Sequence, residues 1–211
     1  MLALCLCALL ASAPVQLRAG PTEPEDIVTL DVSGYVTPTR KEAGVYLFGR
    51  LGTPAHSLRA LLLRSIDGGA HWTEVLPEVE HSEVLFVDFI GCEGRALVGW
   101  TTEGPGEVSL YASPDCGVTW KRRSTLPKSV WSEWPEHVAW QSGRRGTVWL
   151  RDVNEEGALP RVLTTRDGGR TWKALKKPPQ DKPPVQPQSE QPRPVLPTEW
   201  RREGNMLVPA R

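Results

Sequence analysis

Three aspartates stand in the same setting at nearly the same interval. Asp67 lies in Ser65-Ile66-Asp67-Gly68-Gly69-Ala70-His71-Trp72, and Asp115 in Ser113-Pro114-Asp115-Cys116-Gly117-Val118-Thr119-Trp120. Asp167 lies in Thr165-Arg166-Asp167-Gly168-Gly169-Arg170-Thr171-Trp172. The three boxes align without gaps, and their aspartates are 48 and then 52 residues apart. A carboxylate can serve as a general base or ligate a hard cation. An active site, though, is one place where different groups converge. One Asp per identical box, three times over, is how a fold-stabilising element behaves. The carboxylate can accept hydrogen bonds from backbone N–H groups just ahead of it. The hydroxyl two residues earlier can brace it, Gly two residues later permits a positive φ, and the Trp can bury its ring under the turn.

Each box needs strands to hold it. Ala60–Arg64, Val108–Tyr111 and Arg161–Thr164 are strand-like runs that lead into the three boxes. Two further runs precede each of these: Ile27–Val32 and Val45–Phe48, Val84–Phe89 and Arg95–Trp100, and His137–Trp140 and Gly146–Leu150. A strand after each box makes four per unit of about 50 residues, the size of one propeller blade. The composition agrees, with 19 Gly, 20 Pro and 9 Trp favouring many short strands and turns over helices.

The pattern resembles the Asp-box, or BNR repeat, of sialidases, sortilin-type receptors, some xyloglucan-degrading glycosidases and photosystem assembly factors. The resemblance covers residues 25–177 and implies a β-propeller. The expected fold is therefore all-β: a propeller-like array of three four-stranded blades, about 25–77, 82–127 and 136–177, with a proline-rich C-terminal tail. In the boxes, Ser65, Asp67, Gly69, Trp72, Ser113, Asp115, Gly117, Trp120, Thr165, Asp167, Gly169 and Trp172 are expected to be structural, with all three Trp buried.

A sialidase would need an arginine cluster, a Tyr nucleophile paired with an acid, and an acid/base Asp. Tyr35, Tyr46 and Tyr111 all lie in the first two units, and the region of late catalytic residues is a proline-rich stretch. A xyloglucanase-like reading needs two opposed carboxylates. Asp88 and Asp152 are the candidates on or after a strand, and nothing in the sequence marks them as a pair. No catalytic residue, cofactor or metal is assigned, since His56, His71, His81 and His137 lack ligand spacing. The expectation is a binding or scaffolding protein whose ligand is an unknown protein or carbohydrate at the cell envelope. A degenerate sialidase-like hydrolase and an assembly factor for a membrane-protein complex are the alternatives.

Trp131 and Trp134, in Val130-Trp131-Ser132-Glu133-Trp134-Pro135, are the binding candidates, weighed against a wedge between neighbouring units. Lys121-Arg122-Arg123 and Arg144-Arg145 read as solvated charge. Lys+Arg and Asp+Glu are equal at 25, which argues against nucleic-acid binding by bulk charge. The balance is uneven along the chain. Residues 21–107 hold 14 acids and 6 bases, whereas residues 161–211 hold 5 acids and 11 bases.

Residues 2–13, LALCLCALLASA, form an apolar run ending in small residues, so 1–19 are expected to be a signal peptide with a cut after Ala13 or Ala19. Cys5 or Cys7 as a lipid-attachment site is a weaker reading. No membrane span is expected in the mature protein. Cys92 and Cys116 then remain, and an even count in an exported protein favours one disulfide. Cys92 falls in the first turn of the middle meander and Cys116 in its box, at the same end. Residues 178–197 hold eight of the prolines and read as a linker, and 198–211, with Trp200 and Met206-Leu207-Val208, as a loose tail, a docking strand being the alternative. Three blades are fewer than the four to eight that close a ring. Two copies pairing first to third blade would give a six-blade homodimer. The competing outcome is a monomer with its edges covered by 178–211 or by another protein.

Overall fold

The computed structural model describes residues 15–17, 28–38, 44–52, 57–100, 106–127, 132–155, 157, 159–176, 199–203 and 206–209. The described residues are all-β. Strands β2 (Val28–Val36), β3 (Val45–Gly52), β4 (Ser57–Ser65) and β5 (Trp72–Glu74) form a first antiparallel four-stranded meander. Strands β6 (Ser82–Ile90), β7 (Glu93–Trp100), β8 (Val108–Ser113) and β9 (Lys121–Thr125) form a second. Strands β10 (Glu133–Trp140), β11 (Gly146–Asp152), β12 (Arg161–Thr165) and β13 (Lys173–Ala174) form a third. Each box follows the third strand of its sheet.

The sheets stack face to face, and the two-residue period of a strand divides each between two cores. On β7, Ala96 and Val98 pack toward the first sheet with Tyr46, Leu62 and Trp120, while Leu97 packs toward the third with Leu110, Val148 and Leu163. The inner strands of the middle sheet are thus covered on both faces, which is why β6 and the Ala96–Val98 stretch of β7 read as continuous apolar runs, while β9 at the edge reads Lys-Arg-Arg-Ser-Thr. The opening strand of every sheet carries a register shift, at Val32/Gly34, Val84/Phe86 and Pro135/His137. Such a bulge inverts the in-out alternation. Val84 therefore shares a face with Val87 and Phe89, and Leu30 and Val32 share the other face of the first sheet with Tyr35.

The ends of the chain depart from the expected loose tail. Strands β14 (Glu199–Glu203) and β15 (Met206–Pro209) form a hairpin, and β15 pairs with β5, Met206 opposite Thr73 and Leu207 opposite Trp72. Strand β1 (Val15–Leu17) runs parallel to β14 and antiparallel to β2, so pairing circles through seven strands. The apolar run Met206-Leu207-Val208 is the local sign of a docking strand, and its partner lies at the far end of the chain. The expected signal segment, apart from Val15–Leu17, and linker 178–197 lie outside the described residues.

Candidate functional site

The three boxes build the same network. The hydroxyls of Ser65, Ser113 and Thr165 donate to Oδ1 of Asp67, Asp115 and Asp167 at 2.9, 2.8 and 2.8 Å. The same hydroxyls accept from the amides of Gly69, Gly117 and Gly169 at 2.8, 2.8 and 2.9 Å. Each Oδ1 also accepts from the amide four residues ahead, that of His71, Thr119 or Thr171, at 3.0, 2.9 and 3.0 Å. Oδ2 takes the hydroxyl of Thr119 or Thr171 at 2.6 Å, and in the first box it meets His71 Nδ1 at 2.6 Å.

These bonds set the charge state. The backbone amide and ring of His71 hold the Asp67 carboxyl well below its ordinary range, and the Thr171 hydroxyl and amide do the same for Asp167. At Asp115, desolvation opposes the shift, yet bonds from Thr119 and Ser113 still bring it to about 2. A carboxylate so committed is ionised at neutral pH and has no proton to give. Trp72 and Trp120 are buried, and Trp120 Nε1 donates to Gly117 O at 3.0 Å. Trp172 departs from the expectation. It is only partly buried, and its Nε1 donates to Ser124 Oγ at 3.2 Å, across to the second sheet.

The boxes also lock the stack. Tyr46 of β3 donates its hydroxyl to Cys116 O in the second box. Arg123 Nη1 and Ser124 Oγ of β9 donate to Gly168 O and Gly169 O in the third, at 3.0 and 2.5 Å. In both cases the preceding sheet binds carbonyls at the tip of the next unit's box. Cys92 and Cys116 are joined as a disulfide, and the Cys116 amide donates to Cys92 O at 2.9 Å. The bond ties the β6–β7 turn to the second box, the pairing anticipated from the meander.

Among the other candidates, Trp134 lies against Gly99 of β7, between the second and third sheets, which is the wedge position. Trp131 lies outside the described residues. Asp88 and Asp152 do not face each other. Asp88 pairs in register with Arg95 near the box end, while Asp152 pairs with Glu133 at the opposite end of its own sheet. Asp88 lines a small cavity between sheets with Arg95 and Trp140. Burial pushes its carboxyl up, against the Phe89 amide and the Arg95 charge. Arg95, 4% exposed, sits 4.4 Å over the Trp140 ring and also donates to Glu93 Oε2 at 2.8 Å and to Gly143 O. It is an intersheet staple that the sequence did not single out. Arg161 binds the buried Glu133 through Nε and Nη2, both at 2.6 Å. Among the described residues no His, Cys, Asp and Glu group is arranged to hold a metal ion, and no helix is long and apolar enough to cross a membrane.

Comparison of the chain with known protein families, with curated proteins and with solved structures finds no match.

Proposed function

We propose that this chain is an exported Asp-box protein of propeller-like build whose role is binding or scaffolding rather than catalysis. The observation that carries the reading is the triple box. Three near-identical networks sit at one end of three stacked meanders, and the second and third are each bonded by the sheet before. The recurring bulge in each opening strand is a second, independent repeat signature. The three aspartates are consumed by their own turns, and Asp88 and Asp152 lie at opposite ends, which supports a scaffold over a sialidase-like or xyloglucanase-like site. The disulfide supports an oxidising compartment. The β5 edge of the first sheet is occupied by β15, and a cut after Ala13 would leave β1 on the β2 edge, which supports a monomer over the six-blade ring of two copies.

The direct test is a fluorogenic sialoside assay on the purified chain, paired with capture of partners from the envelope fraction. No turnover and a reproducible partner are expected. Turnover that survives further purification would replace this reading with the hydrolase.

A further inference from the structure

Positions two and six of the box point away from its network. In the first box they are Ile66 and Ala70, in the second Pro114 and Val118, in the third Arg166 and Arg170. Ile66 is 73% and Val118 50% exposed, and both arginines are exposed, so the turn does not dictate what stands there. The third box also meets a basic turn. Gly168 N donates to Arg144 O at 2.8 Å, which seats Arg144 and Arg145 of the β10–β11 turn beside Arg166 and Arg170. Arg123 arrives from β9 and bonds Gly168 O. The Arg123 guanidinium and the Arg144 backbone thus meet at Gly168, and Arg145, Arg166 and Arg170 stand within two residues of these points along the chain.

Among the described residues, Arg144, Arg145, Arg166 and Arg170 make no ion pair and no side-chain hydrogen bond. The carboxylates at this end are already bonded to other groups, and with Asp167 counted the four arginines still leave an excess of positive charge. Asp167 is held by Thr165 and Thr171, Asp115 by Ser113 and Thr119, and Glu93 by Arg95. Guanidinium is the weakly hydrated cation whose fork matches sulfate and carboxylate.

We propose that the box end of the third sheet is a docking surface for an anionic polysaccharide. The inference rests on the binding-module reading and names its partner class. A folded protein partner needs apolar or aromatic anchors in the patch, and a single nucleic-acid strand needs rings to stack on. The nearby rings, Trp140 and Trp172, pack against the core between the second and third sheets instead. A DNA duplex is a wide, stiff rod that would extend past the patch over the acidic first half of the chain, whereas a thin, flexible glycan can stay within the patch. A sulfated or uronate-bearing glycan needs only charge and fork geometry, and the disulfide fits the compartment where such glycans occur.

The probe is heparin, with heparosan, which carries carboxylate but no sulfate, duplex DNA and phosphatidylserine vesicles as parallel arms. The full chain is expected to bind heparin with a log–log salt slope of about −3, as four contacts on a flexible polyanion give. The R144A/R145A/R166A/R170A variant should lose at least tenfold in affinity and most of that slope, with an unchanged melting temperature. Arg151→Ala, at the other end of the third sheet, should bind as the parent does. Equal heparin binding by the quadruple variant and the parent overturns the proposal, as does tighter binding of DNA or vesicles. Captured envelope partners without heparin binding would sink this inference and leave the binding-module reading standing. Sialoside turnover would sink that reading instead.

Discussion

The second box and its two siblings solve one backbone problem in two ways. Position four is left-handed in all three, with φ of 72° at Gly68, 55° at Cys116 and 74° at Gly168. Glycine adopts that conformation freely, whereas a residue with a Cβ gives up about 1 kcal/mol there. Only the cysteine carries a covalent tie, and its carbonyl is the one that Tyr46 binds. A cross-link can hold a turn whose residue type opposes it. The second box, in the middle of the stack, is where such a tie steadies both neighbours.

The largest expected contrast lies in the box tryptophans. Trp120→Ala should lose about 3–5 kcal/mol, because the ring is fully packed between sheets. Trp172→Ala should lose clearly less, because part of that ring is in water. Urea melts giving equal losses would erase the difference between the second and third units. Next comes the cross-link. Cys92→Ser should lower stability by about 3 kcal/mol under oxidising conditions and leave it unchanged under full reduction. Mass spectrometry finding two free thiols in the isolated protein would remove the basis for this. A finer test follows in the Cys92→Ser background, where Cys116→Gly should be more stable than Cys116→Ala by about 1 kcal/mol. If alanine is as good as glycine, the left-handed turn is not what sets the two solutions apart.

The smallest effect is acid sensitivity. The folded values of Asp67, Asp115 and Asp167 are depressed, so their contribution is complete above the unfolded carboxyl range. It is lost as pH falls through the folded values, over a window from about pH 4 to about pH 2 and below. Melting temperature should fall through that window, and Asp115→Asn should flatten the fall while lowering stability at neutral pH. A profile as steep in the Asn variant as in the parent would take the second box out of the acid response.

Much of this was legible in the residues. The boxes and the strands that carry them are local, so hydroxyl, Asp, Gly and Trp at fixed offsets announce a network closed within eight residues. The disulfide was legible because a meander places its odd turns at one end. What escaped were contacts between units. Tyr46 reaching Cys116, Arg123 reaching Gly168 and Arg95 stacking on Trp140 join residues about 45 to 70 positions apart. No local pattern encodes them, since a tyrosine in a strand reads as core whichever carbonyl it caps. Trp134 read as an open binding platform or a wedge, and only the bare backbone of Gly99 opposite it decides for the wedge. The bulges were equally silent, because a one-residue slip leaves an apolar run looking the same.

The strand that completes the first sheet has a consequence for how the chain matures. Strand β5 is made early, but its partner β15 follows the second and third sheets in the chain. During vectorial synthesis the first meander therefore waits with an open flank while later units emerge and pack. Pairing across so long a separation is entropically slow. The last event of folding is then a docking of the terminal hairpin onto the oldest sheet. A chain cut between Ala174 and Glu199 would hold three formed meanders with the β5 edge of the first left unpaired, a species prone to adhere to its own kind.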